Sequence, residues 1–248
     1  MIDRDDSPAA VVANPGGASP FLLLGDHAGR EIPRALANLG LPPAVLDLHI
    51  AFDIGVAALG AALSQRLDAT WVRQSYSRLV IDCNRTPGSA GSIPAVSDRV
   101  PIPGNQGLGP DERGLRCAEV FEPYHAAIAE ALDARAAQGR RTLLVSLHSF
   151  TPSLQGVERR VRYGVLHRGD SALSRRMLAL LRRAQGAAAG DNEPYAMDGT
   201  DFTIPHHVDS RGLDYLELEV RQDLLSDPAG QSHEAEFLSA LLLQIARE

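Results

Sequence analysis

The fold is decided by the stretch FLLLGDHAG at residues 21–29. The apolar run from Phe21 to Leu24 ends in Gly25-Asp26-His27, the pattern of a buried parallel strand that carries polar residues at its carboxyl end. The small residues that follow, Ala28 and Gly29, allow backbone or ligand to approach closely. We therefore expect a functional site at the end of this strand.

A second stretch repeats this arrangement farther along the chain. The apolar run LLVSL at residues 143–147 is followed directly by His148 and Ser149. A lone histidine at a strand end is more often a structural hydrogen-bonding residue, but the carboxyl ends of parallel strands meet at one edge of a sheet. The repetition therefore predicts that His27 and His148 share one polar active site.

Strand patterns alternate with helical patterns over most of the chain, which predicts an α/β fold. We expect a single domain with a mostly parallel, mixed sheet flanked by helices on both faces. Residues 1–19 are polar and rich in Gly, Pro and Ala, so they are predicted to form a flexible segment ahead of a catalytic domain at 20–248. Among the predicted elements are a helix at 46–67 and a strand at 78–82.

The composition excludes several classes of function. The 248-residue chain has a net charge of −7, and all 24 of its basic residues are arginine. This balance argues against a nucleic-acid surface, and the lack of lysine rules out a lysine nucleophile. No apolar run approaches the roughly 18 residues of a membrane span, and the acidic start lacks a secretory pattern, so we expect a cytoplasmic protein without a membrane partner. The oligomeric state is left open.

Two neutral imidazoles and one carboxylate would form the His₂-carboxylate zinc site of a hydrolase, which keeps one position for water. Such a site predicts one zinc ion per chain. Asp53 is the first choice for the third ligand, because the helix predicted after the first strand carries it four residues beyond His49 on one face. Glu31 and Asp26 are rivals through their proximity to His27.

The segment YSRLVIDCNR at residues 76–85 indicates a substrate that carries a carboxylate. Arg78 and Arg85 offer planar guanidinium groups that bind carboxylates bidentately, and Asn84 could add an amide donor. Asp82 could instead form a salt bridge with an arginine and fix the loop.

The segment YLELEVRQD at residues 215–223 offers a general base. Strand alternation places Glu217, Glu219 and Arg221 on one face, and Glu219 could take a proton from water and pass it to a leaving amine. Arg221 is a candidate for substrate binding, although it could also pair with Glu219. His206 is a further candidate substrate contact, although a role in loop structure suits it equally well.

Together these motifs resemble those of the N-formylglutamate amidohydrolase family, zinc-dependent enzymes that release formate from N-formylglutamate. The resemblance runs from about Asp26 to Leu225. It is carried by GDHAG at 25–29, D-x-H-x-x-x-D-I-G at 47–55, YSRLVID-x-NR at 76–85, LHSFTP at 147–152 and E-x-RQDL at 219–224.

The family is similar in fold to zinc carboxypeptidases and aspartoacylases, in which an Asn-Arg pair binds the substrate carboxylate and a glutamate is the base. The resemblance implies these roles for Asn84, Arg85 and Glu219. Those relatives use a His-x-x-Glu motif, whereas this chain has Arg at position 30 and the carboxylate at Glu31, so the third ligand stays open between Asp53 and Glu31.

The expected function is zinc-assisted hydrolysis of an N-acyl group, N-formyl above others, from an acidic amino acid such as N-formylglutamate. In this scheme Arg78, Asn84 and Arg85 hold the substrate carboxylate, Arg78 also takes part in catalysis, and Glu219 activates water. Two alternatives remain at this point: a carboxypeptidase-like peptidase or amidase that acts on a longer acidic peptide, and a protein that binds a carboxylate without turnover.

Overall fold

The two apolar runs that stand out in the sequence lie side by side at the centre of a seven-stranded sheet. In the computed structural model, which describes residues 1–247, β2 (Phe21–Gly25) and β6 (Leu143–Phe150) pair in parallel, with Leu24 opposite Ser146. Every residue of β2 is buried because helices cover both faces of the sheet. The predicted α/β domain with a mixed, mostly parallel sheet is confirmed.

The remaining strands extend this centre on both sides in the order β1-β3-β2-β6-β11-β9-β10. Neighbours pair in parallel except at β1–β3 and β11–β9, where the pairing is antiparallel. Two short hairpins lie outside the sheet. The other strands are β1 (Ala10–Ala13), β3 (Thr70–Gln74), β4 (Val96–Ser97), β5 (Val100–Pro101), β7 (Ser153–Leu154), β8 (Val157–Glu158), β9 (Tyr163–Leu166), β10 (Ala189–Asp191) and β11 (Asp214–Arg221).

Seven α-helices accompany these strands in the described part of the chain, and none of them is long and apolar enough to cross a membrane. They are α1 (Pro43–Leu46), α2 (Val56–Leu67), α3 (Pro110–Arg116), α4 (Glu122–Ala137), α5 (Ala172–Gln185), α6 (Thr203–Val208) and α7 (Pro228–Ala246). A π-helical segment, Cys117–Phe121, joins α3 to α4.

Two hydrophobic cores lie on opposite faces of the sheet. Alternation along β2 sends Phe21 and Leu23 into the core formed with α2, α5 and α7, and sends Leu22 and Leu24 into the core formed with α4 and α6. The side chains of β11 divide in the same way, so its polar residues face the side of α4 and α6.

The region before α2 differs from the predicted helix at 46–67, because the chain makes a turn between Asp47 and Gly55 before α2 begins. Gly55 has φ 83° and ψ −11°, a left-handed conformation that interrupts a helix. A Cβ at this position would lie 2.3 Å from the Cβ of Leu225. Asp53 therefore lies in a turn and not on a helix.

The predicted strand at 78–82 is also wrong. Residues 78–80 form a turn, in which the Val80 N–H donates to the Ser77 carbonyl, and residues 81–82 have no regular structure. Leu79, Val80 and Ile81 belong to the second hydrophobic core. Tertiary burial satisfies this apolar run without sheet pairing.

Residues before Phe21 make specific contacts that the sequence prediction omitted. Ala10–Ala13 pairs with β3 as an edge strand, and the Tyr76 hydroxyl donates to the Ser7 carbonyl. The run is short and rich in alanine, so it carries little strand signal. The sheet therefore begins ten residues earlier than residue 20, where the sequence placed the start of the fold.

Candidate metal centre and active site

Three predicted ligands meet at the edge of the sheet. The rings of His27 and His148 have centroids 5.0 Å apart, and Asp53 Oδ2 lies 3.0 Å from His148 Nδ1 and 3.6 Å from His27 Nδ1. All three side chains are buried, and one ligand atom from each lies within 4.8 Å of the others. No other group of three or more His, Cys, Asp or Glu residues in the described chain is suited to hold a metal ion.

The turn ahead of α2 fixes the third member of this group. The Asp53 N–H donates to the His27 carbonyl at 2.9 Å, and the Ser149 N–H donates to Asp53 Oδ2 at 3.2 Å. The turn is thereby joined to the ends of both histidine-bearing strands. Neither of the two rival carboxylates belongs to the group. Glu31 is exposed, and Asp26 accepts a hydrogen bond from the Tyr124 hydroxyl at 2.6 Å.

The outer ring nitrogens of the two histidines have partners. His27 Nε2 lies 2.8 Å from Asp82 Oδ1, and His148 Nε2 lies 3.0 Å from Ser146 Oγ. Metal-ligating histidines commonly donate their second ring N–H in this way, which leaves the other nitrogen free to bind the metal. His27 Nδ1 is buried and has no hydrogen-bond partner in the described part of the chain, so the residues present fit a divalent metal such as zinc.

The electrostatics keep the carboxylate of this group ionised. Burial raises the pKa of Asp53, but the charge of His27 and the hydrogen bond from His148 lower it by more. The pKa of Asp53 therefore lies well below its ordinary value. Burial also opposes ionisation of Asp82, but the charge of Arg78 holds its pKa well below the usual range. Asp53, the carboxylate of the group, is thus anionic, and so is Asp82, the hydrogen-bond partner of His27.

Glu219 reaches the centre from the adjacent strand. It lies opposite His148 in the pairing of β11 with β6, and opposite Gly164 in β9. A Cβ at Gly164 would lie 3.2 Å from that of Glu219, so the glycine leaves room for the glutamate. Glu217 projects from the same face, and burial raises its pKa to about 8 and raises that of Glu219 as well.

A cavity of about 360 Å³ connects these groups to solvent. Two arginines line it, and both are partly engaged. Arg78 Nη2 lies 2.5 Å from Asp82, and Arg85 Nη1 lies 2.8 Å from Asp201. Both hydrogen bonds of the Arg85 side chain are donated by Nη1, one to Asp201 and one to the Asn84 carbonyl. Its other N–H groups have no partner within residues 1–247. The sequence analysis raised a salt bridge between Asp82 and an arginine as an alternative, and Arg78 forms it. The structure leaves only part of each guanidinium group free for a substrate.

Asn84 joins this wall of the cavity to the segment that carries Asp201. Its amide nitrogen donates to Asp201 at 3.3 Å, and its oxygen accepts from the N–H groups of Phe202 and Thr203. Asn84 and Arg85 therefore belong to one unit with residues 201–203.

Two other predicted substrate contacts lie outside the cavity. Arg221 is at the end of β11, where it pairs with Asp223 at 2.7 Å and donates to the Arg159 carbonyl. His206, in α6, stacks on Phe202 with ring centroids 4.6 Å apart. Neither residue lines the cavity of the metal centre.

The structure also brings in residues that the sequence analysis missed. Tyr195, Asp198 and Asp201 line the cavity from a segment without helix or strand periodicity. The partner of His148, Ser146, could have been found, because it precedes that histidine by two residues and shares its strand face. The loop residues left no comparable signal.

The comparisons with known proteins agree with this architecture. The model of the N-formylglutamate amidohydrolase family matches residues 19–226. A solved gene product of Agrobacterium tumefaciens is 36% identical, with a TM-score of 0.94 over 98% of this chain and 97% of that one. N-formylglutamate amidohydrolase from Ralstonia eutropha is 20% identical and shares the fold, with a TM-score of 0.76 over 97% of this chain and 98% of that one. No curated protein matches.

The family match covers most of the chain and includes all three members of the buried His-Asp-His group. The protein therefore belongs to the N-formylglutamate amidohydrolase family and is a hydrolase of amide bonds.

Proposed function

We propose that the protein is a zinc-dependent amidohydrolase that removes the N-formyl group from an N-formyl amino acid, with N-formylglutamate as the reference substrate. The observation that carries this proposal is the position of Glu219. This buried carboxyl group lines the same cavity as His27 and Asp53 and lies opposite His148. Its Oε2 has no hydrogen-bond partner among residues 1–247. A candidate base and a candidate metal centre thus share one site.

His27 Nδ1, His148 Nδ1 and an Asp53 carboxylate oxygen would hold the zinc ion. When bound there, zinc supplies a Lewis acid that polarises the formyl carbonyl and lowers the pKa of water. Asp82 and Ser146 would orient the two imidazole rings through their outer nitrogens.

Glu219 would carry the proton in this reaction. Its carboxylate accepts a proton from water as the water oxygen attacks the formyl carbon, and it returns that proton to the nitrogen as the C–N bond breaks. Formate and the free amino acid are the products. Burial raises the pKa of Glu219 toward the working pH, which suits a group that must accept a proton and then donate it.

Arg78, Arg85 and Asn84 would position the substrate carboxylate. The unpartnered N–H groups of Arg85 can donate to a carboxylate without breaking its ion pair with Asp201. Arg78 Nη1 lies 3.7 Å from Asp53, close enough to the centre to stabilise negative charge that develops on the substrate. Arg221 and His206 have no place in this scheme because they lie outside the cavity.

Formate release tests the proposal. Purified protein loaded with zinc is incubated with N-formylglutamate, and formate and glutamate are quantified together with the metal content. We expect equal amounts of the two products, about one zinc ion per chain, and loss of activity with a chelator that added zinc restores. Full activity after verified removal of the metal would contradict the proposal.

A second cavity favours one alternative, hydrolysis of a longer acidic peptide. It has a volume of about 300 Å³ and shares Arg78, Arg85 and His49 with the first cavity. A substrate could therefore extend past the arginines. Product analysis with N-acetylaspartate and short acidic peptides separates this alternative from deformylation of a single amino acid.

A further inference from the structure

A pair of buried histidines lies behind the unit that Asn84 and Arg85 form with residues 201–203, which we call the substrate wall. His125, in α4, is 6% exposed, and His207, in α6, is fully buried. The two rings are joined by a hydrogen bond of 3.0 Å between His125 Nδ1 and His207 Nε2. Neither ring lines the cavity, so neither contacts a substrate there.

The hydrogen bonds of the pair fix the proton positions on both rings. His125 Nε2 lies 2.9 Å from the carbonyl oxygen of Cys83, which can only accept, so Nε2 carries the proton. Burial lowers the pKa of His125 to about 4 and that of His207 to about 3, so each ring is neutral near pH 7 and carries one proton. His125 Nδ1 is therefore an acceptor, and His207 Nε2 is the donor to it.

The pair ties together the two segments that form the substrate wall. Cys83 directly precedes Asn84, and His207 belongs to α6, the helix that begins at Thr203. The side-chain oxygen of Asn84 accepts from the Thr203 N–H at 2.9 Å, so the two segments meet at the front of the wall. His125 joins them again from behind, through the Cys83 carbonyl on one side and His207 on the other.

The influence of the pair should end before the metal centre. Asp82 lies on the other side of Cys83 and has anchors of its own. Its N–H donates to the Ser92 carbonyl at 2.7 Å, and its carboxylate pairs with Arg78. Loss of the hydrogen bond from His125 is therefore expected to displace the substrate wall and to leave the partner of His27 in place.

We propose that His125 is a positioning residue, which sets the place of Asn84 and Arg85 through its hydrogen bond to the Cys83 carbonyl. His207 completes the arrangement because it fixes the His125 tautomer that can donate this bond. The inference rests on the proposed function, which places the substrate carboxylate at the substrate wall. It assigns an effect on substrate affinity, and none on zinc affinity, to the pair.

Two substitutions separate the hydrogen bonds of the ring from its volume. His125→Phe keeps an aromatic ring against Phe121 and Phe202, whose centroids lie 4.3 and 4.9 Å from that of His125, but it has no donor and no acceptor. His125→Gln supplies an amide N–H for the Cys83 carbonyl and an oxygen that accepts from His207. The glutamine should therefore rescue what the phenylalanine loses.

Calorimetry with N-formylglutamate measures the effect in zinc-loaded protein that also carries Glu219→Gln, so that the ligand is not turned over. We expect His125→Phe to weaken binding by about tenfold, the loss of about one hydrogen bond, and His125→Gln to stay within about twofold of the parent. Competition with a chelator should give the parent zinc affinity for both. His167→Phe is the control, because His167 is hydrogen-bonded through both ring nitrogens but lies outside the cavity. It should bind N-formylglutamate as the parent does.

Two further measurements decide the inference if His125→Phe does not fold. His125→Asn has a shorter amide, which can accept from His207 but does not reach the Cys83 carbonyl, so it should weaken binding in the same way. Nitrogen NMR of the imidazole rings in the wild-type protein should show both His125 and His207 protonated at Nε2. A proton on His125 Nδ1 would overturn the inference.

Parent-like affinity for N-formylglutamate in folded His125→Phe or His125→Asn would also overturn it. So would an equal loss in His125→Gln, or a loss of zinc affinity alongside the loss of substrate affinity. Formate release by the wild-type protein is a separate readout: the expected order of affinities without formate release would contradict the proposed function and leave the role of His125 intact. Absence of any binding to the parent protein would contradict both.

Discussion

Glu219 lies directly opposite His148 in the parallel pairing of β11 with β6. Both residues are buried on central strands of the sheet, so the distance between the proposed base and the proposed metal ligand depends on backbone pairing and not on a mobile loop. Sites built on strands hold their geometry more closely than sites built on loops.

Glu219→Gln should lower kcat for deformylation by about 10²- to 10⁴-fold, the usual contribution of a general acid–base residue. Zinc content and substrate binding should persist, because Glu219 is not among the proposed ligands. Rapid-quench kinetics, metal analysis and calorimetry on the same preparation check this. Glu234→Gln serves as the control for a buried glutamate outside the cavity, and wild-type turnover by the Glu219→Gln variant would exclude the base assignment.

The pH dependence of kcat/KM should show an acid limb above the ordinary pKa of glutamate. The base must be ionised, and burial raises the pKa of Glu219, so its active form appears only at higher pH. Activity is therefore lost as pH falls through this raised value. A profile of kcat/KM from pH 5 to 9 measures the limb, and a rate that stays flat down to pH 5 would contradict the assignment.

Asp82→Asn should weaken zinc binding by about 10- to 100-fold, the usual effect of removing the partner of a ligating histidine. Asp82 accepts from His27 Nε2 at 2.8 Å and is buried, so its loss frees the ring to take another orientation. Competition with a chromogenic chelator gives the affinity. Asp223→Asn is the control, because it removes a carboxylate that is paired with Arg221 outside the cavity, and it should leave the zinc affinity unchanged. Equal zinc affinities for the two variants would refute the role of Asp82.

Local sequence patterns were sufficient to place the two histidines and Glu219 at one site. His27 and His148 come directly after apolar runs typical of buried strands, and alternation along β11 predicts the face of the strand on which Glu219 lies. The sequence analysis chose Asp53 as the third ligand for its place after the first strand, but it predicted a helix where the structure has a turn. The glycine that ends the turn, Gly55, is the local signal that this prediction overlooked.

Other parts of the site depend on contacts between distant segments. Arg85 meets Asp201 across 116 residues of sequence, and no local pattern marks either residue for the other. Arg78 pairs with Asp82 four residues away, an interaction that the sequence raised only as an alternative. The segment at 195–201 has no helix or strand periodicity, so nothing in the sequence indicated that its two aspartates line the cavity.

A buried histidine pair predicts loss of stability in acid. His125 Nδ1 lies 3.0 Å from His207 Nε2, and burial lowers the pKa of His125 to about 4 and that of His207 to about 3. An unfolded histidine has a pKa of about 6.5, so below that pH the unfolded chain binds protons that the folded chain does not. The contribution of His125 to the free energy of unfolding should therefore fall by about 3 kcal/mol between pH 6.5 and 4.

Urea unfolding at several pH values measures this effect. His125→Gln should remove this contribution, so that its free energy of unfolding rises relative to that of the wild type as the pH falls from 6.5 to 4. His233→Gln, at an exposed position in α7, should follow the wild-type dependence. The comparison between variants isolates the pair from the metal centre. An unchanged slope in His125→Gln would show that this histidine does not titrate on unfolding.

The central claim is that His27, Asp53 and His148 form a metal centre. Crystals of the zinc-loaded protein measured on both sides of the zinc absorption edge test it most directly. We predict an anomalous difference peak at about 2.0–2.2 Å from His27 Nδ1, His148 Nδ1 and an Asp53 carboxylate oxygen. Active crystals with no peak there, or with zinc bound at other residues, would contradict the claim.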